Sequence, residues 1–232
     1  MATEPMTLPV VTAMGSVAQP LDRPAQSDAL YLFLKRAFDI LVAAAMIVAL
    51  LPVILIIGIA IHLDSPGPCF YRGERVGRFG RRFRVVKFRS MRADSDNAAH
   101  AAFLHQLMQD GTTCAIYKVP SDPRVTRMGK FLRRTSLDEL PQLWNVLCGD
   151  MSLVGPRPDV PYAIADYAPW MQRRLAVTPG VTGLWQVSGR SRLSLLDMYR
   201  LDVEYAEHAS LALDLSILFK TIPVVLTRDG AA

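Results

Sequence analysis

The stretch ILVAAAMIVALLPVILIIGIAI, residues 40–61, decides the fold. It carries no charged side chain, and its length approaches or meets the roughly 20 apolar residues that cross the hydrocarbon of a bilayer. A soluble core helix of such purity is rare. Pro52 lies near its middle, where it removes a backbone hydrogen bond and crowds the preceding turn, so a kink or break is expected there. Lys35 and Arg36 flank one end, and Arg72, Arg75, Arg78, Arg81 and Arg82 follow the other. Basic flanks favour the cytoplasm. A straight span cannot put both flanks on that side, whereas a helix that dips into the membrane and returns can, provided the backbone groups freed at the break find partners. On charge alone a kinked span and a re-entrant helix both stay open.

Working outward, residues 1–30 are rich in Pro, Ala and Ser, lack a basic start and precede an apolar run too long for a cleavable signal, so they read as a disordered tail. Residues 31–63 read as the membrane helix, ended by SPGP, residues 65–68, a strong loop signal, and 64–232 read as a compact domain. The net charge of +5 is concentrated between Arg72 and Arg92, against one acid, Glu74. Beside a membrane segment such a cluster faces anionic headgroups or binds phosphates. No nucleic-acid motif accompanies it, so nucleic acid is not an expected partner. Cys69, Cys114 and Cys148 stand far apart without metal spacing, which suggests reduced thiols facing the cytoplasm.

Along the domain, RVGRFGRRF (residues 75–83) predicts a hairpin turn and FRVVKFRSM (83–91) a weak strand. Helices are expected over 94–110, from about 135 to 148, over 162–177, over 193–209 and over 211–226 with a kink at Pro223. TPGVTGLWQVSGRS (178–191) reads as a Gly-rich loop with a short strand. The fold class is therefore α/β and helix-rich, with little sheet: a membrane helix plus a domain whose amphipathic helices lie at the interface.

TSLDELPQLWNVLCGDMSLVGPRPD, residues 135–159, sets Asp138 and Glu139 side by side within basic sequence. Ser136 and Glu139 have the spacing of a capping box, and acids in a first turn suit a helix N-terminus. A carboxylate held rigidly and kept ionised by arginines also suits a nucleophile. The two roles can coexist. Arg157 sits between Pro156 and Pro158, which restrict its backbone and fit its planar fork to phosphate. Lys87 and Arg89 would share one side of a strand and offer a second phosphate contact, or meet lipid headgroups. His62, His100, His105 and His208 form no spaced cluster.

These segments together, KRAFDILVAAAMIVALLPVILI, KFRSM, LRRTSLDELPQLWNVLCGDMSLVGPRPD and TPGVTGLWQVSGR, resemble the bacterial sugar transferases of the monotopic phosphoglycosyl transferase family, over about residues 33–228. The likeness is to exopolysaccharide-type members without a large N-terminal extension. It implies transfer of a sugar-1-phosphate from a UDP-sugar to undecaprenyl phosphate on the inner face of the bacterial cytoplasmic membrane, with release of UMP and a requirement for Mg2+. It implies that Asp138 is nucleophile and magnesium ligand, that Glu139 assists it, and that Arg133, Pro156, Arg157 and Pro158 bind substrate. It also implies that the membrane helix is re-entrant and that the catalytic domain faces the cytoplasm. Glucose or galactose is the favoured sugar, and a homo-oligomer is compatible with the sequence. The chain departs from the family pattern in having Leu51 rather than serine before Pro52, no aromatic residue near Ala209, and Arg192 where an acid or asparagine is frequent. A membrane-bound nucleotide-sugar hydrolase and a non-enzymatic membrane adaptor are the competing readings. The acidic pair inside basic sequence argues against the adaptor.

Overall fold

The computed structural model describes residues 29–92, 102, 105, 106 and 124–227. The expected tail up to Asp28, Cys114 and most of the expected 94–110 helix lie outside these residues; Ala102, His105 and Gln106 are helical.

Helix α1 spans Ala29–Asp64, 36 residues, and is long and apolar enough to cross a membrane. Only 11% of its most apolar stretch is buried, which sets it apart from the core helix of a soluble domain. Helical geometry continues through Pro52. The expected break is thus no gap in the helix: proline removes the bond to the Val48 carbonyl and the turns on either side carry on.

Burial on α1 is confined to its two ends. Tyr31, Lys35, Asp39 and Ala43 are buried at one, Ile57 and Ile61 at the other, and no residue from 44 to 56 is. The N-terminal arm is tied to the domain by polar bonds. Lys35 Nζ donates to Asp214 at 2.7 Å and to the Val154 carbonyl at 3.1 Å. Arg36 donates to the Val146 and Leu147 carbonyls at 2.6 and 2.8 Å, and Asp39 accepts from Leu153 N at 3.0 Å. The C-terminal arm docks through Ile57 and Ile61, which pack with Phe88 and Leu132, and through Asp64, which accepts from Met128 N at 3.0 Å. Both arms therefore return to the same body, and between them only side chains at the margins, such as Ile47 and Ile54, pack against it.

In that body, β1 (Phe70–Val76) and β2 (Arg82–Phe88) form the expected antiparallel hairpin, with Phe70 opposite Phe88 and Val76 opposite Arg82. Helices α2 (Arg127–Thr135) and α3 (Gln142–Cys148) follow, joined by a 3₁₀ turn over Leu137–Glu139. Strand β3 (Ser152–Val154) pairs in parallel with β4 (Gly180–Thr182). Between them the expected 162–177 helix is replaced by α4 (Pro161–Ile164) and a 3₁₀ run over Pro169–Ala176. Pro169 causes the split, because its ring cannot enter a helix interior. Helices α5 (Leu184–Ser188), α6 (Leu195–His208) and α7 (Leu211–Thr227) complete the chain.

The main core joins β2, α3, β3 and α6 around Val85, Val146, Val154 and Tyr205, with Ala43 of α1 and Ile217 of α7 packed in. Helix α7 buries Asp214 and Ile217 and exposes Leu215, Phe219, Ile222 and Leu226. Phe131 and Trp144 are also exposed. These exposed apolar side chains give α7, α2 and α3 an amphipathic character.

Candidate active site

The acidic pair lies in the 3₁₀ turn between α2 and α3, and the backbone ahead of it is unusual. Ser136 has φ 58 and ψ 14, the left-handed region that serine enters at a cost. It ends α2 rather than capping α3, and its side chain makes no capping bond. The capping-box expectation is thereby corrected. Glu139 does not reach back to Ser136, because its carboxylate is held elsewhere.

Two cations hold it. Arg157 donates to both Glu139 oxygens, at 2.5 Å to Oε1 and 3.2 Å to Oε2, and Lys87 Nζ donates to Oε1 at 2.9 Å. The bidentate fork fixes the direction of the pair as well as adding strength. Burial alone would raise the Glu139 pKa; Arg157 and Lys87 outweigh it and keep the carboxylate well below the usual range. Asp138 differs. Burial and the neighbouring Glu139 raise its pKa, against the pull of Lys87, Arg157 and Arg133. One carboxylate is thus a fixed counter-ion, and the other is a partly buried carboxyl group whose ionised form is disfavoured by burial and by the neighbouring charge.

The scaffold explains how residues far apart in sequence meet. Asn145 on α3 accepts from Val86 N and donates to the Arg84 carbonyl, both at 2.8 Å. It acts as a further partner for the edge of β2 and brings Lys87 to the turn. Arg133 donates to Ser90 Oγ at 3.0 Å. That approach requires Gly129, where a Cβ would sit 2.0 Å from the Ser90 carbonyl oxygen. The Arg157 loop is clamped from the other side. Gly155 N donates to Thr182 O at 2.9 Å and Gly180 N to Pro156 O at 2.8 Å, and a Cβ on Gly180 would lie 2.1 Å from Gly155 N. Close backbone contact is therefore the purpose of the Pro179-Gly180 pair.

Beneath the loop, Arg174 is buried. It donates to Asp202 Oδ2 at 3.1 and 2.5 Å, to Tyr167 Oη, and to the Arg157 carbonyl at 2.6 Å. Asp159 accepts from Tyr167 and Tyr199 at 2.9 and 2.5 Å. This network, which the sequence reading did not single out, sets the height of Arg157 over Glu139.

Of the expected site residues, Asp138, Glu139, Lys87, Arg157 and Arg133 come together, with Pro156 and Pro158 shaping the loop. Arg89 does not join them. Its guanidinium is buried and donates to the carbonyls of Pro66 and Ser65 at 2.5 and 2.6 Å, securing the chain as it leaves α1. Strand alternation stops at Phe88, so Lys87 and Arg89 part. Arg190, with φ 52, was not singled out either; it donates to Ser136 Oγ at 3.3 Å, two residues ahead of Asp138.

Among the described residues, no group of three or more acids, histidines and cysteines forms a metal cage. A magnesium ion does not need one, since it is often held by one or two carboxylates with the rest of its shell from phosphates and water. Asp138 supplies a carboxylate for that arrangement, whereas Glu139 is committed to Arg157 and Lys87. The donor set fits an ion shared with a phosphate ligand.

The profile of the bacterial sugar transferase family matches residues 30–228. The chain is 46% identical over 199 residues to the UDP-galactose-lipid carrier transferase of Erwinia amylovora, covering 86% of this chain and 42% of that protein. It is 39% identical over 197 residues to the exopolysaccharide production protein ExoY of Sinorhizobium fredii, covering 85% of this chain and 87% of that one. To the UDP-glucose:undecaprenyl-phosphate glucose-1-phosphate transferase of Caulobacter vibrioides it is 40% identical over 208 residues, 85% of this chain and 71% of the other. The chain thus spans less than half of the Erwinia protein and most of ExoY. With a match running from the first turn of α1 to the last of α7, the chain belongs to the bacterial sugar transferase family.

Proposed function

We propose that the protein transfers a sugar-1-phosphate from a UDP-sugar to undecaprenyl phosphate in two displacements at Asp138. The observation that carries this reading is the division of labour in the acidic pair: Glu139 is bound by two cations, and Asp138 is left as the reactive carboxylate. In the first displacement an Asp138 oxygen attacks the phosphorus next to the sugar. The bond from that phosphorus to the bridging oxygen breaks, and UMP leaves with the oxygen. In the second, a phosphate oxygen of the lipid attacks the same phosphorus and the Asp138 carboxylate departs. Lys87 and Arg157 bind and orient the diphosphate, and Arg133 adds positive charge beside Asp138. Magnesium, held by Asp138 and the diphosphate, would neutralise charge on the transferred group. The raised pKa of Asp138 makes its anion more basic than an ordinary carboxylate.

The names of the relatives support a nucleotide-sugar donor and a polyprenyl phosphate acceptor, and they include both galactose and glucose carriers. The decisive assay supplies the purified chain with UDP-galactose or UDP-glucose, undecaprenyl phosphate and Mg2+, and measures UMP and lipid-linked sugar together. UMP with lipid product supports transfer. UMP released over many turnovers without lipid, rather than once per protein, indicates the hydrolase reading, and neither product indicates the adaptor. In the same assay Arg157→Lys keeps the charge but loses the fork to Glu139 and phosphate. Turnover should fall roughly tenfold or more, about 1.4 kcal/mol of barrier; unchanged kinetics would remove Arg157 from the site.

The membrane element is read as re-entrant. What supports this is that both arms of α1 bind the same domain, so both ends lie on one side of the bilayer while residues 44–56 enter it. The domain is placed in the cytoplasm, with the exposed apolar face of α7 at the same interface. Cysteines placed at Ser27 and at exposed Arg81, in a chain cleared of Cys69, Cys114 and Cys148, should both resist a membrane-impermeant thiol reagent in intact cells. Both should react after permeabilisation. Labelling at position 27 from outside would establish a true span.

A further inference from the structure

A cavity is bordered by Lys87 and Arg157 of the site, and Asp138 does not line it. Its volume is about 170 Å³. An engineered cavity of about 150 Å³ takes a benzene ring, so this space has room for one six-membered ring rather than a whole nucleotide. One wall is a single face of α6, formed by Leu195, Met198, Tyr199 and Asp202 at helical spacing, and Trp185 and Gln142 contribute elsewhere. Two of the lining residues each hold a buried polar atom with no hydrogen-bond partner among the described residues: Nε2 of Gln142 and Oδ1 of Asp202. Each of these side chains belongs to a residue only 1% exposed. The Asp202 oxygen is left over because Arg174 takes Oδ2.

The lining mixes charged side chains, among them Arg75, Lys87, Arg157 and Arg174, with the apolar and aromatic Leu195, Met198, Trp185 and Tyr199; a buried donor and a buried acceptor on such walls complement a flat ring that carries an N–H beside a carbonyl and is joined to phosphate. We propose that this cavity is the base subsite for the nucleotide half of the donor. The ring is a pyrimidine whose N–H donates to Asp202 Oδ1 and whose carbonyl accepts from Gln142 Nε2. This rests on the proposed transfer reaction. Displacement at phosphorus places the nucleophile and the leaving group roughly in line on opposite sides. A space bordered by Lys87 and Arg157, and not lined by Asp138, suits the nucleotide that departs rather than the sugar that stays on the phosphorus. Gln142 lies three residues after Glu139, so one short segment, DELPQ, carries both the reactive pair and a base contact.

The test is calorimetric titration of the full-length chain, in nanodiscs with Mg2+, by UMP, ribose 5-phosphate, AMP and galactose 1-phosphate. UMP should bind at least about tenfold more tightly than ribose 5-phosphate, which lacks the base, and than AMP, whose double ring exceeds the cavity. Gln142→Met should weaken UMP by about tenfold and leave ribose 5-phosphate unchanged. Equal binding of UMP and ribose 5-phosphate would overturn the proposal, as would a Gln142→Met effect on galactose 1-phosphate but not on UMP, which would put the sugar in the cavity. A second readout needs no variant: photo-crosslinking of 5-iodo-UMP should place the adduct on Trp185 or Tyr199, and an adduct confined to other residues would overturn the assignment. Transfer from UDP-galactose and UDP-glucose, measured on the same preparation, separates the two levels. Transfer without the base contrast removes the subsite and keeps the reaction; absence of UMP release from either donor removes the reaction and the subsite's role with it.

Discussion

Asp138→Asn is expected to abolish turnover, by roughly a thousandfold or more, about 4 kcal/mol of barrier, while the protein stays folded. An amide cannot form the acyl-phosphate, so the first displacement has no nucleophile. The fold should tolerate the change because the charge is not needed for it. Burial and Glu139 already raise the Asp138 pKa, which means the structure disfavours the ionised form, and a neutral amide relieves that. A thermal unfolding midpoint near that of the wild type, together with loss of UMP release, is the expected pattern. Glu139→Gln should also impair turnover by a different route. It removes the anion that Arg157 and Lys87 share, and both cations lose the group that fixes their direction.

The largest stability effect is expected at Arg174. Arg174→Met deletes the bonds to Asp202, Tyr167 and the Arg157 carbonyl at once, and leaves Asp202 as an uncompensated buried carboxylate. Breaking a buried ion pair on one side costs about 3–5 kcal/mol. For a domain of this size that lowers the unfolding midpoint by roughly 6–20 °C. Turnover should drop as well, since the Arg157 loop loses its support. Asp202→Leu added to Arg174→Met should recover stability, because the stranded charge is gone, without recovering turnover. An unchanged midpoint in Arg174→Met would show that the network is not what holds the loop.

Much of this arrangement was legible in the sequence, and the failures have physical causes. Asp138 and Glu139 stand out as an acidic pair within basic sequence, Arg157 by its two flanking prolines and Lys87 by its place in a short strand, whereas Arg133 is implied only by the family resemblance. Arg89 was misplaced because strand alternation was extended one residue past the end of β2. Ser136 was read as a cap from its spacing to Glu139, but a left-handed serine has its side chain and its N–H in the wrong places for a capping box. From sequence, Lys35 and Arg36 count only as flanking charges that bear on topology. The structure buries Lys35 and binds both to the domain, which is a firmer reason for keeping that end of α1 on the domain's side. Asn145, Gln142, Arg174 and Asp202 carry no local signal. Their roles come from partners brought near by the fold; Asn145 and Val86, for instance, are bonded across a separation of 59 residues.

The account stands or falls on whether the sugar phosphate becomes attached to Asp138. The direct measurement uses UDP-sugar labelled in the sugar, Mg2+ and the purified chain, with no lipid acceptor. The account predicts release of UMP in an amount that matches the protein, retention of label on the chain, and a single labelled peptide whose modified residue is Asp138. Adding undecaprenyl phosphate should then move the label from protein to lipid. Stoichiometric transfer to lipid with no labelled protein at any time, or label on a residue other than Asp138, would contradict it.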